Sequence, residues 1–240
     1  QLVLTTNGSQ LQRMAQQLRD YGVRRINISL DSLQPRRFRQ LTRHGNLDQV
    51  LAGIETAIAC GFERIKINAV ILKGRNEDEV LDLVDYAYRR GIDIAFIEEM
   101  PLGHIVEHDR QLSFCSSAEL RAVIGRRYSM HALGDPAGSD GPARYYSLPG
   151  STTRLGFISP HSENFCHLCN RVRVTAEGRL LLCLGNEHSV DLRAVLRHPG
   201  STLQSLKAAI VGAMALKPER HHFNDSSEPQ IVRFMNATGG

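Results

Sequence analysis

No stretch of the chain approaches the roughly 18 to 20 uninterrupted apolar residues that a membrane-spanning helix requires, which argues against a membrane protein. The start QLVLTT lacks the charged segment and apolar stretch of a secretory signal, so nothing argues for export. Cysteine is scarce: of five, three share a metal-like spacing and two, Cys60 and Cys115, stand alone. A disulfide framework is a poor reading of that set, and a reducing, cytoplasmic location is the expectation. There are no low-complexity tracts, and the only repeat is architectural. The charge excess is modest, at +4 with a pI near 8.9, which suits anionic ligands but is weak support for nucleic acid. The first residue is Gln1 rather than methionine, which reads as a fragment of a longer protein.

What is present suffices for a sizeable core, since 42% of the 240 residues are hydrophobic. From Leu2 to Pro101 one pattern recurs: a short apolar run, a polar turn, then a helix with apolar residues three and four apart. LVLTTNG precedes a helix whose Leu11, Met14 and Leu18 share a face before Gly22. RRINISLDS is the next strand, with Pro35 suited to an early helical position and Val50, Ile54, Ala57 and Ile58 forming an apolar stripe. ERIKINAVIL follows Gly61, and Asn76 with Glu79 predicts a capping box ahead of Val80, Leu83, Val84 and Ala87. Gly91 ends that helix and IDIAFIEEMP is the fourth strand. Strands alternating with helices predict an α/β fold on a parallel sheet with right-handed crossovers.

Beyond Pro101 the pattern changes, which divides the chain into residues 1–101 and 102–240. Ser116 with Glu119 starts a short helix, and GDPAGSDGPAR is a turn-rich excursion between two strand-like pieces, read as a second layer. After the cysteine segment, GRLLLCL reads as a strand. A helix begins at Ser201, with Gln204 as its capping partner and Leu203, Leu206, Ile210 and Ala213 on one face. The stretch from Pro218 to the terminal Gly239-Gly240 is loop-like.

In such folds the carboxyl ends of the strands build the active site. Here they carry Thr5, Thr6 and Asn7, then Ser29, Asp31 and Ser32, then Lys66 and Asn68, then Glu98, Glu99 and Met100. Thr5, Ser29 and Asn68 equally suit local backbone pairing. Lys66, between Ile65 and Ile67, needs a partner if it faces inward, and an anionic ligand would serve. Glu98 and Glu99 are neighbours on a strand and face opposite sides, which discounts a paired-carboxylate mechanism.

Cys166, Cys169 and Cys183 form C-x2-C-x13-C inside FCHLCNRVRVTAEGRLLLCL. Three thiolates are one ligand short of a closed zinc or cubane iron-sulfur site, which leaves a coordination position open or filled from elsewhere. Zinc could take His161, His167 or His188 as its fourth ligand, and spacing alone favours it, although an iron-sulfur cluster accepts the same spacing. Arg171 and Arg173 follow at once and, in an extended chain, present two guanidinium forks on one side, suited to a polyphosphate.

The succession TTNG, INISLDS, KIN, FIEEMP and CHLCNRVRVTAEGRLLLCL, ending in GG, resembles the GTP 3′,8-cyclases, radical S-adenosylmethionine (SAM) enzymes of molybdenum cofactor biosynthesis, along the whole chain. The resemblance implies an incomplete, TIM-type β/α barrel with a C-terminal iron-sulfur region. It also implies two [4Fe-4S] clusters, one cleaving SAM to a 5′-deoxyadenosyl radical and one leaving an iron for the GTP purine. On this chain Cys166, Cys169 and Cys183 resemble the ligands of the second cluster, which replaces zinc by iron and sulfide. Arg171, Val172 and Arg173, with Lys66 and Thr5, resemble GTP contacts; Ser29 and Met100 resemble SAM contacts. Gly239 and Gly240 resemble a tail that enters the active site, where absent side chains allow close backbone approach. The implied reaction joins ribose C3′ to purine C8, with the cofactor supplying the radical and the protein supplying position, charge and exclusion of water. A reductant such as flavodoxin or ferredoxin and a homodimer are further implications; a membrane or nucleic-acid partner is not.

The family's C-x3-C-x2-C motif is absent from these residues, and the β-α segments match the later part of the barrel. The expectation is therefore a truncated chain that lacks its first strands, exposes a sheet edge at Leu2 to Thr6 and cannot turn over SAM alone. Two readings of other classes stand beside it: a zinc-stabilised nucleotide-binding module, with salt-dependent binding to many nucleic acids, and a single-cluster electron-transfer protein indifferent to GTP.

Overall fold

A computed structural model describes residues 1–103, 107–134, 142–221, 223 and 231 of the chain. Four β-α steps open it: β1 (Val3–Thr6), α1 (Leu11–Asp20), β2 (Arg25–Ser29), α2 (Pro35–Thr42), α3 (Leu47–Ala59), β3 (Arg64–Val70), α4 (Val80–Arg90) and β4 (Asp93–Ile97). Then come α5 (Arg110–Ser113), α6 (Ser117–Gly125), β5 (His131–Ala132), β6 (Arg144–Ser147) and β7 (Arg154–Ile158). The remainder holds β8 (Arg173–Val174), β9 (Arg179–Leu181), β10 (Ser189–Asp191), α7 (Leu192–Arg197) and α8 (Leu203–Ala215).

The chain packs as two compact units, residues 1–99 with 112–163, and residues 100–111 with 164–240. These interleave rather than follow a single cut near Pro101. The reason lies in the strand-like pieces read as a second layer: β7 pairs parallel to β4, and β6 and β5 continue antiparallel, so they extend the first sheet. Its order is β1-β2-β3-β4-β7-β6-β5, parallel from β1 to β7, the mixed α/β architecture of a partial radical SAM barrel. β1 is an edge strand, with Val3 44% exposed. Among the described residues no helix is long and apolar enough to cross a membrane.

Alternation along the strands decides which side of the sheet carries chemistry. Ile26, Ile28, Ile65, Ile67, Phe96 and Phe157 are buried and form the core with Leu11, Ile54, Leu83 and Val84 of the helices. The helices end where the sequence placed their ends, and α4 closes on Gly91 with φ 64°, a left-handed conformation that glycine adopts without penalty. Capping is partly redistributed. Ser116 and Glu119 form the expected box at α6, whereas the box at α8 is Thr202 with Ser205, one residue beyond Ser201 and Gln204.

The capping box at Asn76 and Glu79 does not form. Asn76 is buried; its amide accepts from Leu72 N–H and donates to the carbonyls of Asp31 and Val70. Glu79, 1% exposed, accepts from Ser32 Oγ and Leu33 N–H, both at 2.7 Å, and pairs with Arg37. Both side chains serve the loops after β2 and β3, whose buried backbone groups need partners more than a short helix needs a cap.

Glu98 does similar work at the end of β4. It is 1% exposed and accepts from the N–H groups of Ser117, His161 and Ser162 at 2.9, 3.1 and 3.0 Å, and from Ser162 Oγ. Glu99 instead meets Ser113 Oγ, so the two carboxylates form no acid-base pair. Removing Glu98 strands three backbone donors, at about 1 to 3 kcal/mol each. Glu98→Ala is expected to lower stability by at least about 3 kcal/mol, read as a reduced midpoint in urea.

Candidate functional site

In the first unit, the sheet face opposite the helices is polar. Cross-strand register sets Thr5, Asn27, Lys66 and Asp93 in one row, and Ser29, Asn68, Ala95 and Gly156 in the row nearer the carboxyl ends. Asn27 Nδ2 donates to Thr5 Oγ1 at 3.2 Å. Lys66 Nζ lies 3.5 Å from Tyr145 Oη, which supplies the partner that its flanking isoleucines demand. Asp93 takes two bonds from the Arg154 guanidinium, at 3.1 and 2.6 Å, and Arg154 lies 4.7 Å from the centre of the Tyr145 ring. A Cβ at Gly156 would come within 2.9 Å of that ring, so only glycine admits Tyr145 here. Burial raises the Tyr145 pKa and keeps its hydroxyl protonated beside Lys66.

The row above holds smaller groups and one orphan. Asn68 Oδ1 is buried without a hydrogen-bond partner, across from Ser29. A buried acceptor left unpaired costs about 1 to 3 kcal/mol, which a donor on a bound molecule recovers. Two residues past Ser29, Asp31 accepts from Val70 N–H at 2.8 Å, yet burial pushes its carboxyl up to about 6 against that bond.

The Asp31 shift fixes a direction for stability. A carboxyl raised from 3.8 to about 6 favours the proton in the folded state. Its contribution is fully present below about pH 4 and is lost as pH rises toward 6. Asp31→Asn, which keeps an acceptor for Val70, is expected to gain up to about 3 kcal/mol at pH 7 and nothing near pH 4. Thermal unfolding of both proteins across that range checks it.

In the second unit, Cys166, Cys169 and Cys183 are all free and partly exposed. Cys166 opens a 3-10 turn that ends at Leu168, and Cys183 lies beyond β9, whose Leu180 packs with Leu182, Leu192 and Ala213 in a small core. β8 and β9 pair antiparallel, with Arg173 opposite Leu181, which brings the two cysteine arms side by side. Among the described residues no three His, Cys, Asp or Glu side chains are set to hold a metal ion, and His161, one proposed zinc ligand, packs edge-on against Phe114.

The electrostatics favour an anion. Burial opposes ionisation of Cys169, but the Arg171 N–H and the charges of Lys217 and Arg171 outweigh it and lower its pKa. Cys183 is pushed up, first by burial and then by the other two cysteines, against the Gly185 N–H and Lys217. Burial and the neighbouring Arg171 both work against the charge on Arg173. Arg171 also lies 5.7 Å from the centre of the Phe165 ring, and Val172 between the arginines is 38% exposed. A cavity of about 690 Å³ opens beside Cys166 and Cys169, lined also by His167, Lys217, Glu219 and Arg220.

Tyr145, Arg154 and Lys217 were missed in the sequence; nothing in their local pattern marks them, since each matters through a partner distant in the chain. Ser29 and Lys66 stand on the polar face with Thr5, while Met100 belongs to the second unit. Gly239, Gly240 and residues 135–141 of the GDPAGSDGPAR excursion lie outside the described residues.

Residues 1–87 match the Radical SAM superfamily and residues 92–223 match Molybdenum Cofactor Synthesis C. A GTP 3′,8-cyclase of Pseudomonas entomophila is 61% identical over 100% of this chain and 72% of its own length. One of Marinobacter nauticus is 58% identical over 99% of this chain and 71% of its own, and one of Saccharophagus degradans is 55% identical over 100% and 72%. With a radical SAM sheet, a cation-flanked cysteine segment and such relatives, the chain belongs to the GTP 3′,8-cyclase family of the radical SAM superfamily.

Proposed function

We propose that this chain serves the conversion of GTP to 3′,8-cyclo-7,8-dihydro-GTP in molybdenum cofactor biosynthesis, in the cytoplasm. The observation that carries the reading is the set of three free thiols with Arg171 and Arg173 close by in the chain, two of the thiols, Cys166 and Cys169, lining a cavity of nucleotide size. The donor chemistry fits a [4Fe-4S] cluster: three sulfur ligands, with cations placed to offset thiolate charge. Cys166, Cys169 and Cys183 would hold it, and when bound it supplies an iron position that a purine can occupy. Arg171 and Arg173 hold the triphosphate, and the exposed Val172 between them lets the backbone approach the nucleotide. Thr5 and Lys66 add contacts to GTP, the latter as a point charge kept in place by Tyr145. Gly239 and Gly240 bring backbone to the reacting nucleotide.

Ser29 and Met100 contact SAM, which together with its own cluster supplies a radical when bound. The unpartnered Asn68 Oδ1 across from Ser29 supports a ligand on this face. Functionally, residues 1–101 provide barrel units, and residues 102–240 carry the cluster and GTP segment besides β5, β6 and β7 of the same sheet. A flavodoxin- or ferredoxin-type reductant and a second copy of the chain are the partners.

These 240 residues hold only Cys60 and Cys115 besides the three, which is too few for a second three-cysteine set. The chain on its own is therefore expected to release no 5′-deoxyadenosine from SAM under reducing conditions, and finding that product would contradict this. Equilibrium dialysis of the iron-loaded chain tests the rest: GTP is retained and oligonucleotides do not displace it. A zinc-loaded chain that binds oligonucleotides in preference to GTP would overturn the reading.

A further inference from the structure

Lys217 is the residue that neither the cysteine spacing nor the arginine pair accounts for. It follows α8, whose Ala213 sits in the core beneath β9 with Leu180, Leu182 and Leu192. Its Nζ donates to Arg171 O at 3.1 Å and to Leu182 O at 2.8 Å. Those carbonyls lie on the two arms of the segment, one two residues after Cys169 and the other one residue before Cys183. The short β8-β9 pairing joins the arms further along, at Arg173 to Leu181 and Val174 to Leu180, and leaves the cysteine ends to other contacts. Lys217 also lines the cavity beside Cys166 and Cys169.

We infer that Lys217 is a positioning residue that ties the Cys169-Arg171 arm to the Cys183 arm through the two carbonyls and so sets the separation of the thiols. The charge makes the tie strong, since hydrogen bonds with an ionised donor hold about twice as well as neutral ones. It also brings a cation to the arms while its own bonds go to carbonyls and not to the sulfur atoms. A helix end is a firm support for such a tie: Lys217 N–H bonds to Met214 O, and α8 is anchored by its capping box at the other end. This rests on the cysteines being a metal-holding set, as proposed above, but the tie itself exists without metal.

The test uses the full chain in native, Lys217→Met and Lys217→Arg forms. Amide hydrogen exchange on the iron-free proteins reads the tie directly. Lys217→Met is expected to speed exchange across residues 170–183 by at least about tenfold, with β3 and β4 unchanged. Lys217→Arg, which keeps charge and donors, stays within about threefold of native. After anaerobic reconstitution, Lys217→Met retains less than about half the native iron and Lys217→Arg retains most of it. Native exchange and native iron in Lys217→Met would overturn the inference. If Lys217→Met loses protection in β3 and β4 as well, Lys217→Arg decides: native protection and iron support the tie, and loosened arms overturn it. A native chain that takes up no iron defeats the functional reading, while the exchange data still decide the tie.

Discussion

Cys183→Ala, reconstituted anaerobically with iron and sulfide, is expected to fall from about four irons per chain to less than about one. With only three protein ligands, the loss of one leaves two thiolates, too few to hold a cubane against solvent. Cys183 is held in place by the fold, because Leu182 beside it is 1% exposed in the small core and its carbonyl is held by Lys217. The control is Cys115→Ala. That thiol is buried in the first unit, and burial pushes it up to about 11, which keeps it neutral. Iron content after Cys115→Ala should equal that of the native chain. Equal loss in both variants would show that the iron is bound nonspecifically.

The second large effect concerns Arg173. Half-buried and near the like charge of Arg171, it has its own charge disfavoured despite the nearby Cys169 and Cys183, and a bound anion would relieve that. Arg173→Met keeps an unbranched apolar stem and removes the charge. It should leave unfolding unchanged or slightly raise stability, while weakening GTP binding by about 30- to 150-fold, the loss of roughly 2 to 3 kcal/mol of charge-assisted bonding. GMP, with less charge to hold, should lose far less. Calorimetric titration with both nucleotides separates these outcomes; equal loss for GMP and GTP would place Arg173 at a group the two share rather than at the β- and γ-phosphates.

What the sequence made legible was periodic or clustered. Alternation in RRINISLDS and ERIKINAVIL located β2, β3 and their polar face, and the spacing of the cysteines marked the candidate second site. The arginines were legible because they stand beside those cysteines. What was not legible depends on register between distant segments. The strand-like pieces flanking GDPAGSDGPAR, β5 and β6, read as a second layer because nothing local says that β7 pairs with β4, and only that pairing brings Tyr145 and Arg154 to Lys66 and Asp93. Asn76 and Glu79 carried the pattern of a helix cap, but burial redirected both side chains to the loops after β2 and β3. Lys217 looked like any basic residue after a helix until the structure placed it on two carbonyls from different arms.

The three-cysteine segment as a nucleotide-facing cluster site is the centre of this account. Iron and sulfide analysis of the anaerobically reconstituted chain, followed by electron paramagnetic resonance of the reduced sample with and without GTP, tests it most directly. About four irons per chain and a signal that GTP shifts are the predicted result; one tightly bound zinc with no iron, or a cluster signal indifferent to GTP, would contradict it.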